Sequence, residues 1–293
     1  ELLNRARRSY EQDNIEIMSN YEYDKLYDEL TELEKKTGIT LSNSPTIRVG
    51  YEVLSDLPKE KHPKKMLSLD KTKDVGALAA WLGSQGGLLS WKLDGLTIVL
   101  TYENGKLAKA VTRGNGEIGE VITSNARTFE NLPLGIDFAG QLVLRGEAVI
   151  SYADFEKIND EITDEGAKYK NPRNLCSGSV RQLNNEITAQ RHVQFFAFSL
   201  VSADGVEFKT RKEQFDWLAE RGFQVVEHVS VDAETISDAV SAFEAKIADN
   251  PVPSDGLVLS YNDIEYGRSL GETAKFPRDS IAFKWQDETV ETV

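Results

Sequence analysis

Apolar residues recur at helical spacing in residues 19–38, "SNYEYDKLYDELTELEKKTG", where Tyr23, Leu26, Tyr27, Leu30 and Leu33 share one face. Ser19 with Glu22 fits a capping box, and Gly38 fits a C-terminal stop, so this stretch predicts a helix. Residues 41–66 lose the periodicity and hold Pro45, Pro58 and Pro63, which predicts a loop-rich connection. From Gly87 the texture changes. "GLLSW", "LTIVLTY" and "QLVLRGEAVI" read as strands, and Asn104-Gly105 is a strong hairpin turn that brings the chain after "LTIVLTY" back to Arg113. "YADFEKINDEI", "KEQFDWLAERGF" and "AETISDAVSAFEAKIADN" read as helices; "DGLVLSY" and "SIAFKW" read as late strands. This order is α+β with antiparallel sheets flanked by helices, not a repeating βαβ pattern. It divides the chain into a helical unit (1–40), a connection (41–66) and a main body (67–293).

Composition bounds the class. With 293 residues, 40% hydrophobic and 28% charged, the chain is an ordinary globular protein of one large or two smaller domains. No apolar run approaches the ~18 residues a membrane span needs, so no membrane association is expected. The opening "ELLNRARRSYEQDN" lacks an apolar signal core, and the single cysteine, Cys176, permits neither an internal disulfide nor a four-cysteine zinc site. A cytoplasmic protein is expected, with no resident metal cluster and no obligate protein partner.

The net charge of −14 argues against non-specific nucleic-acid binding by the whole surface. The charge is uneven, however. Residues 11–34 carry nine acids and one lysine, whereas residues 167–193 carry five Lys or Arg against one Glu. A basic strip on an acidic protein suits a small anionic target or one short contact with a nucleic-acid backbone.

Several charged residues lie on or beside apolar strands: Lys92 in "WKLDG", Arg113 in "TRGNG", Glu147 in "LRGEAVI", Asp255 in "SDGLVLSY" and Lys284 in "IAFKW". Charges there are costly unless paired or used. Together they predict a pocket for a phosphate-bearing ligand. A lysine amine can attack phosphorus and split one phosphoryl transfer into two steps. Attack requires the free amine, which neighbouring cations and removal from water favour. The same cations neutralise charge on the phosphate in transit. Asp94, Glu147 and Asp255 are candidates to position Mg²⁺, the amine or a ribose hydroxyl, and the residues alone do not divide those roles.

The ordered series Lys-x-Asp-Gly, Arg-Gly, Arg-Gly-Glu, Asp-Gly-Leu-Val and Ala-Phe-Lys-Trp resembles the motifs of nucleotidyltransferases, with their ATP-grasp-like fold. More closely, the blocks "EYDKLYDEL", "SPTIRVG", "HPKKMLSLD" and "NPRNLCSGSVRQL" resemble the nicotinamide-mononucleotide-binding segment and adenylation domain of bacterial NAD-dependent DNA ligases, across nearly the whole chain. The resemblance implies NAD⁺ as AMP donor, Mg²⁺ as cofactor and nicked double-stranded DNA as partner. It further implies that Lys92 becomes AMP-linked, that Glu147 holds the ribose with Arg113 near the sugar, that Lys284 meets the α-phosphate, and that Asp255 and Asp94 stand beside the reacting centre. Ser68 and Leu69 match the segment lining the nucleotide pocket, and Arg173 and Arg181 match arginines of the DNA-facing surface. Tyr10, Tyr23 and Asp24 match residues gripping the nicotinamide mononucleotide half; tyrosine faces suit such a ring. The family's OB-fold, zinc, helix-hairpin-helix and BRCT regions lie outside this sequence, which is expected to be a fragment.

The sequence departs from the family pattern at Glu11, at Asn20, at Ser90 in place of an acid and at Ser260 in place of a lysine. An arginine about eight residues before Asp255 is missing, and Lys246 is the nearest cation. Ser90 and Ser260 are expected to face the adenine edge as a neutral pair. Two other readings of these residues are an ATP-using nucleotidyltransferase, opposed by residues 1–40, and a degenerate paralogue that binds a nucleotide or partner without reacting.

Overall fold

The structure is a computed structural model that describes residues 2–3, 18, 20–37, 56–274 and 276–285. The chain divides into two compact units, Glu1–Val53 and Leu54–Val293. In the first, helix α1 spans Asn20–Thr37, with Lys35 and Lys36 in its last turn, where cations complement the helix dipole. Ser19, Gly38, Tyr10 and Glu11 lie outside the described residues, as do the side chains of Asn20, Tyr23 and Asp24.

The second unit begins with strands β1 (Lys59–Lys61) and β2 (Asp70–Thr72), helix α2 (Val75–Leu82), and strands β3 (Gly87–Leu93), β4 (Leu96–Glu103), β5 (Lys106–Thr112) and β6 (Ile118–Glu120). Helix α3 (Thr123–Ala126), strand β7 (Gln141–Val149), and helices α4 (Tyr152–Glu161), α5 (Pro172–Val180) and α6 (Asn185–Ala189) follow. The remainder is β8 (Gln194–Ala203), α7 (Arg211–Glu220), β9 (His228–Val231), α8 (Ile236–Glu244), β10 (Ser254–Tyr261), α9 (Ile264–Ser269) and β11 (Ser280–Phe283).

These strands form two sheets, ordered β2-β11-β10-β3-β9 and β5-β4-β7-β8, with β1 and β6 pairing as a separate ribbon. All pairings are antiparallel except β11 with β2. The architecture is the α+β arrangement that the alternating strands predict. No helix among the described residues is long and apolar enough to cross a membrane.

Period-two patterning explains how each sheet divides its faces. In β4, Ile98, Leu100 and Tyr102 are fully buried, packing with Leu142, Leu144 and Ala148 of β7 and with Leu175, Cys176 and Val180 of α5. In β3 and β10, Leu89, Trp91, Leu257, Leu259 and Tyr261 pack against Leu78 and Leu82 of α2 and Val240 and Phe243 of α8. Burying each such side chain is worth roughly 1.5–3 kcal/mol. The alternate positions project from the opposite faces. On the first sheet they are Ser90 and Lys92 of β3 with Val258 and Ser260 of β10; on the second they are Thr97 of β4 with Arg145 and Glu147 of β7.

Residues 56–66, within the stretch read as a connection, are packed into the second unit. Leu57 and Met66 are buried, and β1 pairs residue for residue with β6. The prolines punctuate this strap without excluding it, because Pro58 and Pro63 flank the three-residue strand.

Candidate active site

Lys92 is the penultimate residue of β3, and Asp255 lies at a register shift in β10, between Ser254 and Leu257. The shift permits Gly256 a φ of +151°, with its backbone so close to β11 that an added Cβ would stand 2.1 Å from the Phe283 carbonyl oxygen. Only glycine fits there. The result brings Asp255 between two lysines. Lys92 Nζ donates to Asp255 Oδ1 at 2.6 Å, and Lys284 Nζ donates to Oδ2 at 2.8 Å. Lys284 follows β11 directly and is fixed by its own N–H, which donates to the Thr72 carbonyl at 3.0 Å. Burial works to raise the Asp255 carboxyl's pKa, but the hydrogen bonds from Lys284 and Lys92 outweigh it and hold the group below its ordinary value.

Glu147 comes from the second sheet, directly opposite Thr97 in register. It is buried, and both oxygens are engaged: Oε1 accepts from the Gly95 N–H at 3.1 Å and Oε2 from the Thr97 hydroxyl at 2.8 Å. Burial pushes its carboxyl up to about 7, against the opposing pull of Thr97, Gly95, Arg173 and Lys92. Gly95 is as constrained as Gly256, since a Cβ there would lie 1.9 Å from the Ala148 carbonyl oxygen. The glycine of Lys-x-Asp-Gly therefore lets the turn after Lys92 press against β7, where its N–H reaches Glu147.

Asp94 Oδ1 accepts from Arg173 Nη1 at 2.5 Å. Arg173 sits in the first turn of α5, whose N-terminus is capped by the Asn171 side chain with Pro172 behind it. The hydrogen bond to Asp94 raises the Arg173 pKa in spite of burial, and Asp94, Glu147 and Asp255 add to it electrostatically. Arg173 is thus electrostatically part of the lysine site. Arg181, at the other end of α5, pairs with Glu120 at 2.8 Å. Arg113 follows β5; its N–H donates to the Thr97 carbonyl at 2.8 Å and its guanidinium to the Ser68 hydroxyl at 3.1 Å. Leu69 is half-buried next to Ser68.

Ser90 and Ser260 project from the Lys92 face at diagonal positions, Ser90 opposite Val258 and Ser260 opposite Leu88. They do not bond each other. The Ser90 hydroxyl donates to the Val258 carbonyl at 3.4 Å, and Ser260 shares a hydrogen bond with Ser280 at 2.8 Å. Lys246, the nearest cation to the missing arginine, is tied to Glu227 at 2.5 Å, and the Trp91 indole donates to the same carboxylate at 3.0 Å.

Lys92, Asp255 and Lys284 are therefore in direct contact; Glu147, Asp94 and Arg173 border them electrostatically; Arg113 and Ser68 form a second contact; and Arg181 pairs elsewhere. Two residues outside the predicted set join the site: Thr97, which bonds Glu147 by its side chain and Arg113 by its backbone, and Ser280 beside Ser260. The signal for Thr97 was its place in "LTIVLTY", a polar residue on the face that carries Arg145 and Glu147 across the sheet.

An amine held beside a carboxylate and a second lysine, with a buried acid and arginines around it, is the equipment of a nucleotidyl-transferring enzyme. Residues 54–288 match the family model described as the NAD-dependent DNA ligase adenylation domain. The chain belongs to that family. It is 66% identical over its full length to a DNA ligase of Ruminiclostridium cellulolyticum and 65% identical to one of Lachnoclostridium phytofermentans, covering 45% of each. The chain spans about half the length of the curated relatives it matches. Among solved structures it is similar to an archaeal ATP-dependent RNA ligase, at 14% identity and a TM-score of 0.45 over 75% of this chain and 48% of that one.

Proposed function

We propose that Lys92 attacks the α-phosphorus of NAD⁺, that nicotinamide mononucleotide leaves with the electrons of the broken P–O bond, and that AMP stays on Lys92 before passing to the 5′-phosphate of a DNA nick. The observation that supports this is the bridge from Asp255 to Lys92 and Lys284, at 2.6 and 2.8 Å. Asp255 orients the amine and accepts the proton it loses on attack. Lys284, released from Asp255 when phosphate enters, stabilises charge on the phosphoryl oxygens. Glu147 presents a buried carboxyl group to the ribose, with Arg113 nearby. Arg173 and Arg181 would exchange their carboxylate partners for DNA phosphates.

The donor set suits Mg²⁺ held mainly by the substrate's phosphates. Among the described residues no cluster of three His, Cys, Asp or Glu side chains could hold an ion by itself, and Mg²⁺ commonly takes one or two carboxylates plus phosphate oxygens. Asp94, partly exposed and bonded to Arg173 through one oxygen, would be the carboxylate to hold it, and the ion would neutralise phosphate charge. In this reading residues 1–40 are a separate unit in which Tyr10, Tyr23 and Asp24 hold the leaving nicotinamide mononucleotide, residues 67–293 are the adenylating body, and the work is done in the cytoplasm.

Intact-mass spectrometry tests it. Incubation with NAD⁺ and Mg²⁺ should add one AMP to the protein, and Lys92→Ala should remove that gain. A wild-type chain that stays at its starting mass, or gains AMP equally from ATP, overturns the reading.

A further inference from the structure

His62 carries no part of the chemistry above, yet it is buried, with 9% of its surface exposed. Its Nε2 lies 3.1 Å from the Thr112 carbonyl oxygen and 3.1 Å from that of Arg113. Both partners are acceptors, so Nε2 must carry the hydrogen. The contact closes a longer seam between the strap 57–69 and the turn 112–121. The His62 N–H donates to Glu117 O at 2.8 Å, Met66 N–H to Gly116 O at 2.8 Å, and Val121 N–H to Pro58 O at 2.7 Å. Gly116, at φ +92°, fits only because it lacks a side chain, since a Cβ would meet Met66 O at 2.7 Å. At the end of the seam Ser68 receives the Arg113 guanidinium.

We infer that His62 is a positioning residue: its bifurcated donation to the Thr112 and Arg113 carbonyls sets the backbone from which Arg113 reaches the nucleotide. The seam's other links leave these two carbonyls to this side chain, apart from one turn bond from Gly116 N–H to Arg113 O at 3.0 Å. Without the ring donor, a buried acceptor at Thr112 loses its side-chain partner. The turn can then relax at the residue that bears the guanidinium. The inference rests on the adenylation reading above.

The test compares AMP-forming rates of the whole chain with NAD⁺ and Mg²⁺, followed by intact mass, for wild type, His62→Gln, His62→Asn and His62→Met. A glutamine amide places a donor near the imidazole Nε2; an asparagine amide is one methylene shorter; methionine fills the space with no donor. Small misplacements of a substrate-contacting group are costly, so His62→Met and His62→Asn should each react at least about tenfold slower. His62→Gln should stay within about threefold of wild type, because it restores the hydrogen bond and not the ring. Circular dichroism fixes a temperature at which the variants are folded; if His62→Met does not fold, the comparison of Gln with Asn decides. A reactive wild type whose Met and Asn variants keep pace with it, or a Gln variant as slow as either, overturns the role of His62. A wild type that gains no AMP overturns the adenylation reading, and the role drawn from it.

Discussion

Replacing Glu147 by glutamine should stabilise this protein above neutral pH and leave it nearly unchanged in acid. Glu147 is buried, and its carboxyl is raised from 4.5 to about 7. Below the lower value both the folded and the unfolded chain hold the proton, so the group contributes no pH dependence. Between the two values the unfolded chain releases the proton while the folded chain keeps it, and stability falls as pH rises. Above about 7 both are ionised, and the full cost of a buried charge is present. At 1.36 kcal/mol for each pH unit between the two values, that cost is about 3 kcal/mol. Typical domains are stable by about 5–15 kcal/mol, so the effect is large. Glutamine keeps an oxygen to accept from the Gly95 N–H, and the Thr97 hydroxyl can turn to accept from its amide. Urea unfolding followed by tryptophan fluorescence, at intervals from pH 4 to pH 9, gives the stability of each protein. The difference between them should grow in favour of Glu147→Gln by about 3 kcal/mol, with its midpoint between 4.5 and 7. A difference that stays flat across this range would refute the buried-acid argument. AMP formation by Glu147→Gln should fall over the same range, since a site residue kept at a stability cost is kept for activity.

Asp255→Asn leaves Lys92 and Lys284 without their shared counter-charge, and single-turnover AMP formation should slow by at least about tenfold; an unchanged rate would remove Asp255 from the reacting centre. Gly95→Ala forces a methyl to within 1.9 Å of the Ala148 carbonyl, and urea unfolding should show a loss of at least about 2 kcal/mol. Deleting residues 1–40 should abolish AMP formation from NAD⁺ while sparing transfer of preformed AMP to nicked DNA; equal loss in both steps would make the segment structural only. Ser90→Glu and Ser260→Lys lie diagonally across β3 and β10, and each alone should weaken NAD⁺ use. The double variant should recover more than additivity allows, as coupled neighbours do, and strict additivity in initial rates would show that they are not one site.

The sequence by itself determined strands β3, β4, β7, β10 and β11, though not β8, the longest, which carries no turn signal that was read. Alternation in "LTIVLTY" and "DGLVLSY" places Ile98, Leu100, Tyr102, Leu257, Leu259 and Tyr261 in the cores, because a strand's side chains must alternate. It therefore also fixed the face that Ser260 presents. Helix α7 was legible in "KEQFDWLAERGF", and the structure adds a capping box between Thr210 and Glu213 at its start. The body of helix α5 was not legible, although Asn171-Pro172 is a start signal. "PRNLCSGSV" holds Ser, Gly and Cys, weak helix formers, and packing of Leu175, Cys176 and Val180 into the core is what makes it a helix. The strap 56–66 looked like a connection because three residues of β1 carry too short a pattern to read. Its pairing with β6 is a contact across nearly sixty residues. The same limit governed the site. Motif order named Lys92, Asp255 and Lys284, but which group touches which depends on β10 lying between β3 and β11, and on Gly95 and Gly256 allowing backbones to close where a Cβ would not fit. Distances between residues far apart in the chain are set by sheet order and packing, and no local pattern in the sequence encodes them.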